Sequence, residues 1–446
     1  MKKFLSDWIF QLIAYVIFMT LFAALLSGMS SLPMSQLIAG ASSNIAYSMM
    51  LVGLFIASRP RFLEKHVGMP KMYEIHALMT VLAVILVGIH IAVYWQGFGA
   101  IFRSATTTYG YIAFAGMLGG LLTGSLSLSG MFINKNKTLR TWKEKVFNRE
   151  AALWIHRISA LVAILGTYMQ NYELPFLRAN KLYMAVLTFW TVLIVGYYAW
   201  WKLSTTLLPK YVVKDIYLAT PSLWVLEFEP KNGKLKDYTP GDYFFIRFKG
   251  GANITKEAHP FSTSSAITKL HDSSIEFMIK EAGDWTSALK NIKVGDVATL
   301  EGPYGNFYPQ EVREADKPYV LFGGGIGLTP VLSILRSEAD KGSQRKIHLV
   351  WALSWEHDMF MLDELDGYKA QFPNFTYDVI FSNEEVEGYP YGFISGPFLQ
   401  EIGVSEIYQE ATFFICGPDV MMNASKNVLL NEGVPAENIY VDEFGF

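Results

Sequence analysis

The first two hundred residues consist of long apolar runs separated by short polar stretches. Six runs approach the roughly 20 residues that a helix needs to cross a hydrocarbon core, namely residues 8–28, 44–58, 74–96, 109–133, 150–170 and 181–203. The first run resembles a secretory signal, but no small-residue cleavage site follows it, so we interpret it as a helix. The pattern predicts a membrane α-helical bundle of six transmembrane helices over residues 1–208.

Beyond this region, short mixed runs alternate with Pro and Gly. Runs such as LWVLEFEP (223–230) and GDYFFIRF (241–248) predict an antiparallel β-barrel domain over residues 209–312. YVLFGGGIGLTPVLSILRSE (319–338) then has the pattern strand, glycine turn, helix, and KIHLVWALS (346–354) and ATFFICGPDVMM (411–422) each contain a further strand. These runs predict an α/β nucleotide-binding domain with a parallel sheet over residues 313–446.

Composition and charge narrow the class of protein. A hydrophobic content of 51% is not that of an ordinary soluble globule. A net charge of −3 gives no indication of a nucleic-acid partner. The chain has one cysteine, Cys416, which excludes an internal disulfide and any iron–sulfur cluster that needs several thiolates.

Basic residues collect in alternate loops of the apolar region. They are Lys2 and Lys3, then Arg59, Arg61, Lys65 and Lys71, then Lys135, Lys137, Arg140, Lys143, Lys145 and Arg149. The intervening loops carry only Arg103, Arg178 and Lys181. Because basic loops stay on the cytoplasmic side, we expect a multi-pass protein with both termini in the cytoplasm.

Three of the eight histidines fall inside the predicted spans. His76 and His90 lie in the third span and His156 in the fifth. An imidazole at membrane depth is costly and usually serves a site. The third and fifth spans run in the same direction, so His76 and His156 lie at similar depth and can clamp a haem iron from both sides. His90 lies about 21 Å further along its helix, on nearly the same face as His76.

Fewer candidate ligands are available for a second haem at the depth of His90. The residues of the fifth span at matching depth are Met169 and Gln170. Methionine is an accepted axial ligand, but a membrane methionine more often packs against its neighbours. The alternatives are a haem held by His90 and Met169, and a second haem that is absent or otherwise ligated. Candidates to pair with haem propionates, or else to flank the membrane, are Arg157, Arg59 and Arg61.

The cytoplasmic motifs resemble a known module. HPFSTSSA (259–266), KEAGDWTSAL (280–289), GGGIGLTP (323–330) and CGP (416–418) together resemble the ferredoxin–NADP⁺ reductase module. With the histidine-bearing front half, the whole chain resembles the bacterial NADPH oxidase and ferric reductase superfamily. The resemblance implies a flavohaem oxidoreductase of the bacterial cell membrane that uses FAD, one or two b-type haems, and NADH or NADPH.

The resemblance also implies roles for individual residues. It assigns flavin contacts to His259, Pro260, Phe261, Ser262, Lys280, Gly283, Trp285 and Thr286. Among these, Phe261 would pack on the isoalloxazine, Ser262 would lie near its reactive N5, and His259 would reach the phosphates. The residues from Gly283 to Thr286 would open a helix whose amides face the diphosphate.

The resemblance assigns nicotinamide-nucleotide contacts to Gly323, Gly324, Gly325, Gly327, Thr329, Pro330, Cys416, Gly417, Pro418 and Phe446. Glycines at this turn would let a diphosphate approach the backbone. Ser262, Cys416 and Phe446 would lie nearest the reacting atoms. Cys416 would act there as a small buried residue rather than a nucleophile, and Phe446 or Phe444 would cover the flavin.

Two departures from the family pattern affect these expectations. The fifth span lacks the second histidine that normally holds the outer haem and has Met169 at the usual spacing. Ser354 stands where NADPH-preferring relatives often place an arginine for the 2′-phosphate. Because a guanidinium is the strongest bidentate phosphate ligand, we expect NADH to be used at least as well as NADPH.

The predicted function is transmembrane electron transfer from NAD(P)H through FAD and haem to an acceptor at the outer face. Oxygen, giving superoxide, is the first candidate, followed by ferric chelates, a quinone or an extracytoplasmic protein. The alternative is a haem-free transporter whose histidines relay protons and whose flavin module senses redox state. We found no calcium-binding loop in the sequence, so we expect no obligatory cytosolic activator.

Overall fold

The computed structural model describes residues 16–24, 26, 34–98, 105–125, 149–249, 254–266 and 273–443. The chain divides into two compact units, Met1–Thr206 and Leu207–Phe446.

The first unit is helical where it is described. Residues 16–24 are helical, and the helices after them are α1 (Met34–Ala57), α2 (Arg61–Val67), α3 (Met69–Phe98), α4 (Ala105–Thr123), α5 (Arg149–Glu173), α6 (Pro175–Ala179) and α7 (Lys181–Thr206). Among the described residues, four segments are long and apolar enough to cross a membrane: Leu37–Ala57, Met69–Val93, Glu150–Glu173 and Lys181–Thr206. These four correspond to the second, third, fifth and sixth predicted spans.

The predicted limits of the second span were wrong. Helix α1 begins at Met34 rather than near residue 44. Ser42, Ser43 and Asn44 interrupt the apolar run, but their side chains donate hydrogen bonds to the carbonyls of Ala39 or Gly40 one turn earlier. Because the helix itself satisfies these polar groups, they do not end it.

The other two predicted spans are only partly described. Helix α4 has 19 residues and is not among the four segments above, and residues 126–133 of the fourth predicted span lie outside the described residues. Most of the first predicted span also lies outside them.

Helices α4 and α5 pack closely through small residues. A methyl group at Gly116 would lie 2.8 Å from both the Ser159 carbonyl oxygen and the Ala163 amide nitrogen, and one at Gly166 would lie 3.0 Å from the Ala113 amide nitrogen. Small residues let helix backbones approach each other in membranes. Segment GMLGGLLTGS (116–125) therefore packs closely against α5.

The second unit contains two sheets. The first is antiparallel, with the strand order β4-β3-β6-β1-β2-β5. Its strands are β1 (Lys210–Thr220), β2 (Leu223–Pro230), β3 (Tyr243–Phe248), β4 (His259–Ser262), β5 (Ile275–Lys280) and β6 (Val297–Tyr304). The two edges approach each other, because Thr263 just after β4 bridges Phe277 of β5. Phe228, Phe244 and Phe277 are fully buried in the core of this sheet.

The second sheet is parallel, with the order β11-β10-β7-β8-β9. Its strands are β7 (Tyr319–Gly324), β8 (Ile347–Leu353), β9 (Phe375–Phe381), β10 (Thr412–Cys416) and β11 (Ile439–Asp442). The α-helices of this unit are α8 (Asp284–Ser287), α9 (Gln310–Glu314), α10 (Leu328–Asp340), α11 (Leu362–Gln371), α12 (Gly396–Glu401) and α13 (Asp419–Asn431). The predicted α/β domain with a parallel sheet is confirmed.

Candidate functional site

Two of the predicted haem ligands face each other inside the helical unit. The ring centroids of His76 on α3 and His156 on α5 are 6.0 Å apart, with their planes inclined at 59°. Metal–imidazole bonds of about 2 Å put the centroids of two axial rings about 6 Å apart. The observed separation therefore fits an iron held between the two rings.

Hydrogen bonds fix which nitrogen each ring presents. Nδ1 of His76 lies 3.0 Å from the Gly53 carbonyl oxygen, and Nδ1 of His156 lies 2.9 Å from that of Gly120. A carbonyl only accepts, so Nδ1 is the protonated donor in both rings and Nε2 keeps its lone pair. Metal-binding histidines typically donate their second ring nitrogen in this way.

The space around the two rings is lined by both small and larger apolar residues. The small residues that line this cleft with the two histidines are Gly53, Ala57, Ala83, Gly116, Gly120, Ala160 and Ala163, and the larger ones include Met49, Met50, Leu54, Met117 and Ile164. Arg157, one of the predicted propionate partners, also lines it, as does Tyr198. Arg59 and Arg61 are not among the residues that line this cleft.

The third membrane histidine has the same type of anchor. Nδ1 of His90 donates to the Ala39 carbonyl oxygen of α1 over 2.8 Å. On α5, the amide of Gln170 lies against Gly110 of α4, where a methyl group would be 2.9 Å from its Nε2. Met169 is half-buried on the same helix, and its role as a ligand stays a prediction.

In the second unit, the predicted flavin segment forms an aromatic cluster. Trp285 stacks on Phe261 at 5.4 Å and 26°, and its centroid is 4.7 Å from the His259 ring. His259 Nε2 also lies 3.3 Å from a carboxylate oxygen of Glu257. Pro260 and Phe261 pair with β3 in the antiparallel sheet. The structure therefore brings His259, Phe261 and Trp285 together.

Three buried polar atoms of this segment are unsatisfied. Among the described residues, Ser262 Oγ, Trp285 Nε1 and His259 Nε2 are buried without a hydrogen-bond partner. Buried polar atoms normally have partners, so these three are suited to a polar ligand. Together with the neighbouring aromatic rings they fit a flavin, which is both polar and flat.

The turn before α8 is closed by the side chain of Thr286. The Thr286 hydroxyl accepts hydrogen bonds from the amides of Ala282 and Gly283, at 2.8 and 2.9 Å. Those two amides are therefore engaged within the turn. Lys280 forms an ion pair of 2.8 Å with Asp358. The flavin contacts predicted for Gly283, Thr286 and Lys280 stay predictions.

The glycine turn after β7 packs against the turn after β10. A methyl group at Gly327 would collide with the Cys416 carbonyl, and one at Gly324 would lie 3.2 Å from the Gly417 Cα and 3.0 Å from the Pro418 ring. Gly325 has a φ of +54°, and a methyl group there would meet no atom within 4 Å. The structure thus joins the two predicted nucleotide motifs and leaves open space at Gly325.

The remaining residues of these motifs are buried or lie outside the description. Thr329 Oγ1 donates to the Ile326 carbonyl over 2.8 Å, and Pro330 is buried in α10. Burial raises the pKa of the Cys416 thiol well above its usual value, and the nearby Asp442 carboxylate raises it further. This agrees with a structural role for Cys416. Phe444 and Phe446 lie outside the described residues.

Sequence reasoning did not identify two further residues. Trp351 is fully buried on β8 and donates to the Gly325 carbonyl over 3.2 Å, so it supports the glycine turn. Arg336 on α10 contacts Glu276 of β5 at 2.7 Å and Glu364 of α11 at 2.7 and 2.8 Å. Arg336 thereby ties the two sheets together. The hydrophobic pattern of α10 marks a buried face but not these long-range partners.

Carboxylates cluster at the C-terminal end of β8, where Ser354 follows the strand. The Glu356 amide donates to a carboxylate oxygen of Glu384 over 2.9 Å, and Asp358 lies two residues further on. In doubly wound sheets, nucleotides bind outside the carboxyl ends of the strands. Glu356 and Glu384 therefore lie at the edge where the ribose of a dinucleotide is expected, and Asp358 is paired there with Lys280.

Comparisons with known proteins agree with this geometry. Residues 222–308 match the model of the FAD-binding domain family, and residues 321–427 match that of the oxidoreductase NAD-binding domain family. The second unit therefore matches an FAD-binding domain followed by an oxidoreductase NAD-binding domain.

Similar proteins include two curated relatives. The electron transfer component of toluate 1,2-dioxygenase from Pseudomonas putida is 29% identical over 211 residues, covering 46% of this chain and 59% of the relative. The reductase component of propane 2-monooxygenase from Rhodococcus jostii is 31% identical over 246 residues, covering 52% and 60%. The chain thus spans about three fifths of the length of these relatives.

Among solved structures, the FAD/NAD-binding domain of a nitric oxide dioxygenase from Vibrio cholerae O1 biovar El Tor aligns with a TM-score of 0.47 and 23% identity. The alignment covers 53% of this chain and 98% of that domain.

Proposed function

We propose that this protein carries electrons from cytoplasmic NAD(P)H, through FAD and a b-type haem, across a bacterial cell membrane to an acceptor at the outer face. The observation that carries the proposal is the pair His76 and His156, whose rings face each other at 6.0 Å with both Nδ1 atoms donating to backbone carbonyls. Both curated relatives are named as electron-transfer or reductase components, which supports the flavin half of the proposal.

The two cofactors have separate tasks. When bound, FAD would supply the conversion of a two-electron hydride into single-electron transfers, and a haem would supply a one-electron acceptor. The protein supplies the binding geometry. Phe261 and Trp285 offer flat apolar contact, and the hydroxyl of Ser262, the residue after Phe261, is a buried donor. Gly325 leaves the backbone open for a diphosphate.

The helical unit supplies the second binding geometry. His76 and His156 would ligate the iron through Nε2, and Gly53, Gly116 and Gly120 line the cleft beside the two rings. Arg157 would pair with a propionate. The positive-inside distribution of basic residues supports cytoplasmic termini.

Haem content of histidine variants tests the central part of the proposal. Purified wild-type protein is expected to show a Soret band, and H76A and H156A are each expected to lose it while keeping FAD. H66A is the matched control. His66 is exposed on α2, and its Nδ1 bonds to the Phe62 carbonyl of the same helix. A colourless wild-type protein with normal flavin content would favour the alternative of a haem-free transporter with a flavin sensor.

The acceptor is tested separately. Oxygen, giving superoxide, is our first candidate, ahead of ferric chelates, quinones and an extracytoplasmic protein. Cytochrome c reduction that superoxide dismutase suppresses is the expected result in air. Reduction of a ferric chelate at an equal rate under nitrogen would contradict the oxygen assignment.

A further inference from the structure

The outer half of the helical unit repeats the inner half with one ligand changed. His90 follows His76 by fourteen residues on α3, and Gln170 follows His156 by the same fourteen on α5 (90 − 76 = 170 − 156). Fourteen residues are close to four helical turns, so each pair lies on nearly the same face of its helix.

The contacts of these residues repeat with the same interval. His76 donates to Gly53 and His90 to Ala39 on α1, and these acceptors are also fourteen residues apart. A methyl group at Gly124 would lie 3.4 Å from the His156 ring, and one at Gly110 would lie 2.9 Å from the Gln170 amide. Gly124 and Gly110 are again fourteen residues apart.

A buried cluster midway between the two levels supports this register of α3 and α5. Ala83 and Ala163, each seven residues beyond its histidine, belong to one buried cluster that also contains Ala46 and Met117. His76 and His156 therefore share one depth in the bundle, and Ala83 and Ala163 share the next. Seven residues further along each helix, His90 and Gln170 share the third. Met169 leaves the helix about 100° away from Gln170.

We infer that Gln170, not Met169, stands opposite His90, and that the chain therefore holds one bis-ligated haem instead of two. A neutral carboxamide is a weaker ligand for haem iron than the imidazole, thiolate, thioether and phenolate side chains that haem proteins use. The donor set at the outer level does not fit a second haem held from both sides. This inference rests on the proposed function, because it counts haems in a bundle that the proposal assigns to haem.

The inference narrows the acceptor class. The level of His90 lies about 21 Å along the helix from that of His76. With no second haem between them, the acceptor has to enter the apolar bundle to collect electrons. A neutral oxidant that dissolves in lipid, such as dioxygen or a quinone, satisfies this requirement, and a charged ferric chelate does not.

Completing the missing ligand gives a direct test in the full-length protein. The readouts are the ratio of haem to FAD by pyridine haemochrome and the number of components in an optical redox titration. We expect a ratio of one for wild type, one for H90A and two for Q170H, with a second low-spin component in Q170H alone. M169H is the matched control and is expected to stay at one.

Each other outcome is informative. A wild-type ratio of two, a high-spin haem that H90A removes, or a second haem in M169H would overturn the inference while leaving the proposed function intact. A ratio of one in Q170H would overturn the assignment of Gln170 as the residue opposite His90. A wild-type ratio of zero would overturn the proposed function itself.

The acceptor arm uses the wild-type protein with NADH. Turnover is measured separately with dioxygen and, under nitrogen, with a soluble quinone analogue. Each rate is compared with the rate on an anionic ferric chelate. The reaction with quinone balances as NADH, one proton and quinone giving NAD⁺ and quinol. Rapid turnover with either neutral acceptor and slow turnover with the chelate is expected, and faster turnover with the chelate would contradict the inference.

Discussion

Replacing Arg336 by methionine should destabilise the flavin module more than a typical surface substitution does. The guanidinium makes two contacts with Glu364, at 2.7 and 2.8 Å, one with Glu276 at 2.7 Å, and one with the Ser264 carbonyl at 3.0 Å. The side-chain exposures of Arg336, Glu276 and Glu364 are 16%, 22% and 28%. Methionine fills a similar volume but leaves both carboxylates without this partner.

The size of the effect follows from that exposure. Removing one partner of a buried ion pair costs about 3–5 kcal/mol. Because the two carboxylates keep some contact with water, we expect the lower end, about 3 kcal/mol. For a unit of this size, each kcal/mol lowers the melting temperature by about 2–4 °C, so the expected shift is about 6–12 °C.

The assay is thermal release of FAD from the full-length protein in detergent, followed by flavin fluorescence. R336K keeps the charge but loses the bidentate geometry, so its shift should be smaller. The triple variant R336M/E276Q/E364Q removes the stranded charges and should recover most of the loss. A shift below about 1 °C in R336M, or no recovery in the triple variant, would refute this reasoning.

Three shorter predictions concern the same module. The ratio of kcat/KM for NADH to that for NADPH should be at least one and should fall in S354R; a strong NADPH preference in wild type would show the argument wrong. Cys416 should resist Ellman's reagent at neutral pH until the protein unfolds, because burial raises the pKa of its thiol; rapid labelling of native protein would contradict this. Burial alone would raise the pKa of Glu338, but hydrogen bonds from Tyr308 and the charge of Lys341 outweigh it and lower that pKa. Glu338 therefore stabilises the folded protein at pH values above its unfolded pKa, and this stabilisation is lost as the pH falls through its lower folded pKa. E338Q should lose less stability on acidification than wild type, and equal losses would count against the assignment.

The sequence was enough to predict that His76 and His156 lie at one depth, but not where helix α1 begins. Helical periodicity and the alternation of span directions placed His76 and His156 at one depth, and the structure brings their rings within 6.0 Å. Hydropathy did not predict the start of α1, because Asn44 and its neighbours are satisfied by hydrogen bonds within the helix. Local satisfaction of this kind depends on side-chain conformation, which composition does not report.

The motifs of the second unit were likewise predicted only in part from the sequence. The glycine turn and the CGP turn were recognised separately, and the structure adds that Gly327 fits only because it lacks a side chain beside Cys416. The closure of the Gly283 turn by Thr286 depends on one rotamer. The contacts of Arg336 join residues 60 and 28 positions apart, and no local pattern predicts such partners.

Anaerobic addition of NADH to the purified full-length protein tests the central claim most directly. If electrons flow from nicotinamide through flavin to a haem held by His76 and His156, the flavin absorbance should bleach and the haem bands should then shift to those of the ferrous form. H76A should retain the first change and lose the second. Flavin that bleaches while a bound haem stays oxidised, or a wild-type protein with no haem bands, would contradict the account.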